Sequence, residues 1–230
     1  MRKPVVDYKE FRFSKLNTPQ FSHLLLLLGW VVYFLLYFLT ENLIPAENCH
    51  PIHSALDDII PFCEVFLIPY VFWYFLIAIS LGYFALYNID NFKKLQTYIM
   101  ITQAVAMAVY IIYPNCQNLR PVEFPRDNFL TGCVGLIYSF DTNTGVCPSL
   151  HCAYSIAIAS VWLREKSVSN LWKGLVVLAA ILICLSTMFI KQHSAVDFFA
   201  AIPVCVLAEF LVFKVFYPKK EIPNFMNTPT

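Results

Sequence analysis

The chain has 230 residues, of which 59% are hydrophobic and 13% charged, with a net charge of +1 and a mean hydropathy of +0.62. Soluble domains carry about 25% charged residues, so the main solvent of this chain is lipid. A net charge near zero with no dominant basic face argues against a nucleic-acid partner.

In chain order, residues 1–20 are mixed and charged and read as a cytoplasmic segment without signal-peptide grammar. Apolar runs follow at 21–39, 62–87, 98–113, 151–163, 171–189 and 195–216, each near the length that crosses a bilayer. Spans this apolar must be helical, because an open sheet edge finds no hydrogen-bond partner in lipid. The expected fold class is all-α, a polytopic membrane protein with a six-transmembrane-helix bundle over 21–217 and a cytoplasmic tail at 218–230. If spans alternate, 13 of the 16 Lys and Arg residues fall on one side. The positive-inside rule makes that side, with both termini, cytoplasmic. The other side keeps only Arg120, Arg126 and Lys191.

The outer connections, 41–60 and 114–147, are long and irregular, whereas the inner ones, 88–97 and 164–170, are short and basic. Elaborate loops tend to carry function, which places the chemistry outside. Cys49, Cys116, Cys133 and Cys147 lie in those outer loops, where one or two disulfides are expected. No Cys-x-x-Cys pair is present, and His50, His53, Asp57 and Asp58 match no standard ligand spacing. That group reads as a solvated loop at the pocket entrance, and neither metal nor cofactor is expected. Arg126 reads as a contact to lipid headgroups.

Three polar islands interrupt the apolar sequence on the outer side. They are Asn118-Leu119-Arg120-Pro121, Cys147-Pro148-Ser149-Leu150-His151, and Lys191-Gln192-His193-Ser194-Ala195-Val196-Asp197. Ionisable groups at membrane depth are costly and usually mark a reaction or transport pathway. His193 and Asp197 stand i, i+4 on one helical face, so the carboxylate can hold the imidazole tautomer and stabilise its charged form. Pro148 and Ser149 suit a helix start, whose free amides favour an anion, and Arg120 supplies a planar fork for phosphate oxygens. The parts describe a phosphoryl-transfer pocket.

In this order the motifs resemble the type-2 phosphatidate phosphatase superfamily over roughly residues 113–199. The family pattern is Lys-x6-Arg-Pro, then Pro-Ser-Gly-His, then Ser-Arg-x5-His-x3-Asp, and its membrane members include the sphingomyelin and inositol phosphorylceramide synthases. The resemblance implies that His193 is the nucleophile, that Asp197 orients it, and that His151 is the acid and then the base. It further implies that Arg120, Ser149 and the amides near Leu150 hold the phosphoryl group, with no metal. This chain departs from the pattern at Tyr113, Leu150 and Thr187, which stand where the family has Lys, Gly and Arg. Lys191 either replaces a missing cation or snorkels to headgroups.

A pocket with fewer cations suits a phosphodiester. The expected activity is a lipid phosphatase or headgroup phosphotransferase at the outer leaflet, acting on a phospholipid-like substrate through a side opening to lipid. A prenyl-diphosphate phosphatase is the alternative within the class. A proton-coupled transporter using the same residues as a relay is the alternative outside it. The lipid, the acceptor and the oligomeric state are not specified by these motifs.

Overall fold

A computed structural model describes residues 3–219, so most of the expected tail at 218–230, with its Lys220, lies outside the described residues. A 3-10 segment, Ser22–Leu27, leads into α1 (Leu28–Leu43). There follow β1 (His50–Pro51), α2 (Ala55–Ile59), α3 (Leu67–Tyr87), α4 (Ile89–Ile112), β2 (Asn115–Cys116), α5 (Phe129–Phe140), α6 (Leu150–Arg164), α7 (Asn170–Phe189) and α8 (Ala195–Phe210). A π-helical stretch, Leu211–Phe216, extends α8.

Five segments are long and apolar enough to cross a membrane: Ser22–Leu43, Glu64–Tyr87, Ile89–Ile112, Asn170–Phe189 and Ala195–Phe216. The protein is an all-α, polytopic, integral membrane protein. The expected span at 151–163 is α6, whose 15 residues cover only about 22 Å at 1.5 Å per residue. Most of it is covered by the rest of the bundle. α6 packs against α3, α4, α7 and α8, and Cys152, Ala153, Ala157, Ile158, Val161 and Trp162 are all buried.

α1 is the opposite case. None of its side chains is buried, and Val31, Val32, Leu35 and Phe38 point outward as a lipid face. It is attached to α4 through Trp30 Nε1, which donates to Gln96 Oε1 at 3.0 Å, and Gln96 Nε2 donates back to Leu26 O at 3.2 Å. Gly29 permits the close approach, since a Cβ there would lie 2.8 Å from Met100 Cγ. Small residues at such contacts let helices approach in lipid.

The long outer connections are built rather than loose. β1 pairs parallel with β2, His50 opposite Asn115, and ties 41–60 to 114–147. The second connection also contains α5, a 12-residue apolar helix where the sequence reading expected irregular chain. Asn128 caps it in a reciprocal pair with Thr131, and its 12 residues are too few for a span. All eight cysteines are free thiols, so the expected outer disulfides are corrected: Cys133 sits within α5, and Cys116 Sγ rests 3.8 Å from the Cys49 carbonyl. Arg126 does not reach for headgroups; it pairs at 2.8 Å with buried Glu64, which also accepts from Asn128.

Candidate functional site

The N-termini of α6 and α8 meet at the end of the bundle that carries the long connections. Ser149 caps α6, its hydroxyl accepting from Cys152 N at 3.4 Å, and its own N–H donates to the Asp197 carbonyl at 3.1 Å. Ser194 caps α8 reciprocally with Asp197. The backbone that delivers His151 is fixed by Asn115, whose Oδ1 accepts from Val146 N at 2.9 Å and Cys147 N at 2.8 Å. Tyr110 adds a 2.8 Å bond to the Pro148 carbonyl. On the other strand of the site, the Thr187 carbonyl accepts from both Gln192 N and His193 N, turning the chain sharply out of α7. Lys191 takes a left-handed backbone at φ 55° to complete that turn.

The result is a contiguous row of ionisable groups. His193 Nδ1 lies 3.1 Å from Asp197 Oδ2, and His193 Nε2 lies 3.3 Å from His151 Nδ1. The same Asp197 oxygen accepts from Ser194 N at 2.9 Å, which fixes its orientation. With Nδ1–H donated to Asp197, neutral His193 keeps its lone pair on Nε2, beside His151. His151 is packed between Tyr70 and Trp73, with ring centroids at 4.7 and 4.1 Å. Burial disfavours the charged form of His193, but the bond to Asp197 and its charge outweigh this, so the pKa of His193 is raised.

His151, His193 and Leu150 line a cavity of about 710 Å³ whose wall is mostly apolar and rich in aromatic rings. Among the described residues, no lysine or arginine lines it, and Asp141 is its one carboxylate. Asp141 accepts from Tyr70 OH at 3.3 Å and from Gln192 Nε2 at 3.1 Å. Burial raises its pKa, against the nearby charges of His193 and Arg120. Within the described residues, His151 Nε2 and Trp73 Nε1 are buried without a hydrogen-bond partner, and both residues line the cavity.

Three expected phosphate ligands are engaged elsewhere. Arg120 donates to the carbonyls of Tyr138, Asp141 and Thr142 and to Gln192 Oε1, and its guanidinium lies 4.6 Å from the Tyr138 ring centroid. It therefore closes the C-terminus of α5, where carbonyls lack helical partners, instead of facing the cavity. Ser149 is wholly buried as a helix cap. Lys191 Nζ donates to the carbonyls of Asp57 and Ile60, at the end of α2. Lys191→Met is expected to lower thermal stability by about 1–3 kcal/mol, read by melting in lipid, without weakening phosphate binding. Weakened phosphate binding at unchanged stability would put the ammonium in the pocket.

Asp57 was the residue sequence reasoning misplaced. It is buried, not solvated: its Oδ2 accepts from Ser194 Oγ at 2.6 Å and its Oδ1 from Ala195 N at 2.8 Å. A hint existed in Ser54-x-x-Asp57, the spacing of a capping box. His53 and Asp58 do form an exposed pair at 2.8 Å, as a solvated loop would. Among the described residues no cluster of His, Cys, Asp and Glu has the arrangement of a metal site. Comparison of the chain with family models, curated proteins and solved structures returned no match.

Proposed function

We propose that the protein is a membrane-embedded phosphoryl-transfer enzyme that works on a lipid phosphate ester through His193. The observation that carries this reading is the Asp197–His193–His151 row, with a nucleophilic nitrogen and a second imidazole 3.3 Å apart on one cavity wall. The order of the three polar islands, and their resemblance to lipid phosphatases and phosphotransferases, supports the same reading.

In the first half-reaction His193 Nε2 attacks phosphorus, an N–P bond forms, and the P–O bond to the lipid alcohol breaks. His151 gives its proton to the departing oxygen. In the second, water or an alcohol attacks phosphorus, His151 takes the proton of that hydroxyl, and the N–P bond breaks to regenerate His193. The 3.3 Å gap is too narrow for a phosphoryl group between the rings, so the ester enters from the cavity and His151 moves aside to meet the leaving oxygen. A wall without lysine or arginine favours a singly charged phosphodiester over a dianionic monoester. The outer location of the site and the cytoplasmic termini follow from the distribution of Lys and Arg.

The test uses purified protein in lipid with chelator present, given phosphatidic acid, a prenyl diphosphate, and a phosphodiester lipid with diacylglycerol. Mass spectrometry should show headgroup moved or released from the diester lipid, and His193→Ala should abolish it. Equal products from wild type and variant would refute the proposal and make proton-coupled uptake the next assay.

The pH dependence has a defined sign. Protonating Nε2 removes the lone pair, so turnover falls as pH drops through the His193 pKa. Because that pKa is raised, the acid limb lies above that of an ordinary imidazole. Asp197→Asn should move the limb downward while lowering kcat/KM; a limb that stays in place would assign it to another group.

A further inference from the structure

The loop that carries His193 is held against the C-terminal end of α5 by bonds that neither the helix caps nor the motifs supply. Gln192 directly precedes His193, is buried, and commits its whole side-chain amide there. Its Oε1 accepts from Arg120 Nη2 at 2.6 Å, and its Nε2 donates to Asp141 Oδ2 at 3.1 Å. Earlier in the same turn, the Ile190 carbonyl accepts from the Tyr138 hydroxyl of α5. Asp141 Oδ2 also accepts from Tyr70 OH at 3.3 Å, and the Tyr70 ring stacks on His151 at 4.7 Å. One connected set of bonds therefore reaches both imidazoles, through Gln192 to the loop of His193 and through Asp141 and Tyr70 to His151. An amide is the side chain such a bracket needs. Arginine only donates and an ionised carboxylate only accepts, so the bridge between them must offer one acceptor and one donor.

We propose that Gln192, clamped between Arg120 and Asp141, is a positioning residue that fixes the His193 loop and so holds His193 Nε2 at the cavity wall beside His151. This rests on the phosphoryl-transfer reading. It gives Arg120 a part that the resemblance does not imply, acting on the nucleophile through Gln192 rather than on the phosphate. The bond from Nδ1 to Asp197 sets the tautomer of His193 but leaves the ring free to swing about that one contact. Anchoring the residue before it removes that freedom. Misplacing a reacting atom by about 1 Å can cost about 10²-fold in rate, which is the scale expected when the bracket is cut.

The test uses full-length protein in nanodiscs with the donor that wild type turns over. Gln192→Leu should lower kcat about 10²-fold, while KM and inhibition by orthovanadate, a phosphate mimic, stay as in wild type. Gln192→Asn keeps an amide but is a methylene too short to span both partners, so its kcat should fall as well. Arg120→Met should behave like Gln192→Leu, and combining the two should be no slower than the worse single variant, because either cuts the same bracket. Wild-type kcat in Gln192→Leu or Gln192→Asn overturns the proposal. So does weakened vanadate inhibition in Arg120→Met, or losses that multiply in the double variant. Histidine-selective nitrogen NMR reads the same geometry without turnover, the His193 signals being assigned by their absence in His193→Ala. Wild type should hold one tautomer, and Gln192→Leu and Gln192→Asn should average the two. Averaging in variants of a protein that turns over no donor keeps the bracket and removes the transfer reading. Signals unchanged by either substitution overturn the bracket, with or without turnover.

Discussion

His193→Ala is expected to abolish lipid phosphoryl transfer, a loss of about 10⁴-fold or more, because a covalent route has no second nucleophile to fall back on. Among the described residues, the only other imidazole on the cavity wall is His151, whose Nδ1 faces His193 and which has no carboxylate partner. His151→Ala should be milder, about 10²- to 10⁴-fold, the usual weight of general acid–base catalysis. Its loss should depend on the leaving group: a donor with a more acidic leaving alcohol would recover most of the rate in His151→Ala and none in His193→Ala. The same recovery in both variants would contradict the division of roles. Steady-state rates on a pair of donors differing in leaving group decide it.

Asp57→Ala is expected to cost about 2–4 kcal/mol of stability, although Asp57 touches neither histidine. Its carboxylate satisfies Ser194 Oγ and Ala195 N, and removing it strands both in a buried setting. The effect has a pH signature. Burial alone would raise the Asp57 pKa, but the bonds from Ser194, Ala195 and Ser54 prevail and hold it below the ordinary carboxylate value. A depressed folded-state pKa contributes stability that is present above the unfolded pKa and lost as pH falls through the folded one. Wild type and Asp57→Ala should thus melt far apart at neutral pH and converge in acid. A gap that does not narrow would show that Asp57 acts through packing rather than charge. Activity should fall alongside, because α2 grips the loop of His193 from both sides, with Asp57 on Ser194 and Ala195 and Lys191 on the α2 carbonyls.

The His193–Asp197 pair and the opening of α6 were legible because local rules set them, whereas the meeting of His151 with His193, 42 residues apart, was not. His193 and Asp197 share a helical turn, and Pro148-Ser149 opens α6, so i, i+4 spacing and capping preferences placed them without knowledge of the tertiary fold. The helical, membrane-crossing class was legible from hydropathy for the same reason. Partners distant in sequence were not legible. Lys191 and Arg120 looked like phosphate ligands because they are cations beside the motifs. Each instead donates to carbonyls at a helix end, 131 and 21 residues away for Ile60 and Asp141, which no local pattern records. Asp57 failed likewise, with its Ser194 partner 137 residues off. α5 was missed for a different reason: at 12 residues it falls below the length of a span, yet its Leu136, Ile137 and Phe140 help form the cavity. Asp141, the cavity's carboxylate, follows α5 directly and was hidden with it.

The most direct measurement is to trap the intermediate. Wild-type protein is mixed with phosphodiester lipid in the absence of acceptor, quenched in alkali, which preserves phosphohistidine, and digested for mass spectrometry. A headgroup-phosphate adduct on the peptide carrying His193, absent from His193→Ala, is the expected result. Turnover that proceeds with no adduct, or with the adduct on another residue, would contradict a nucleophilic His193.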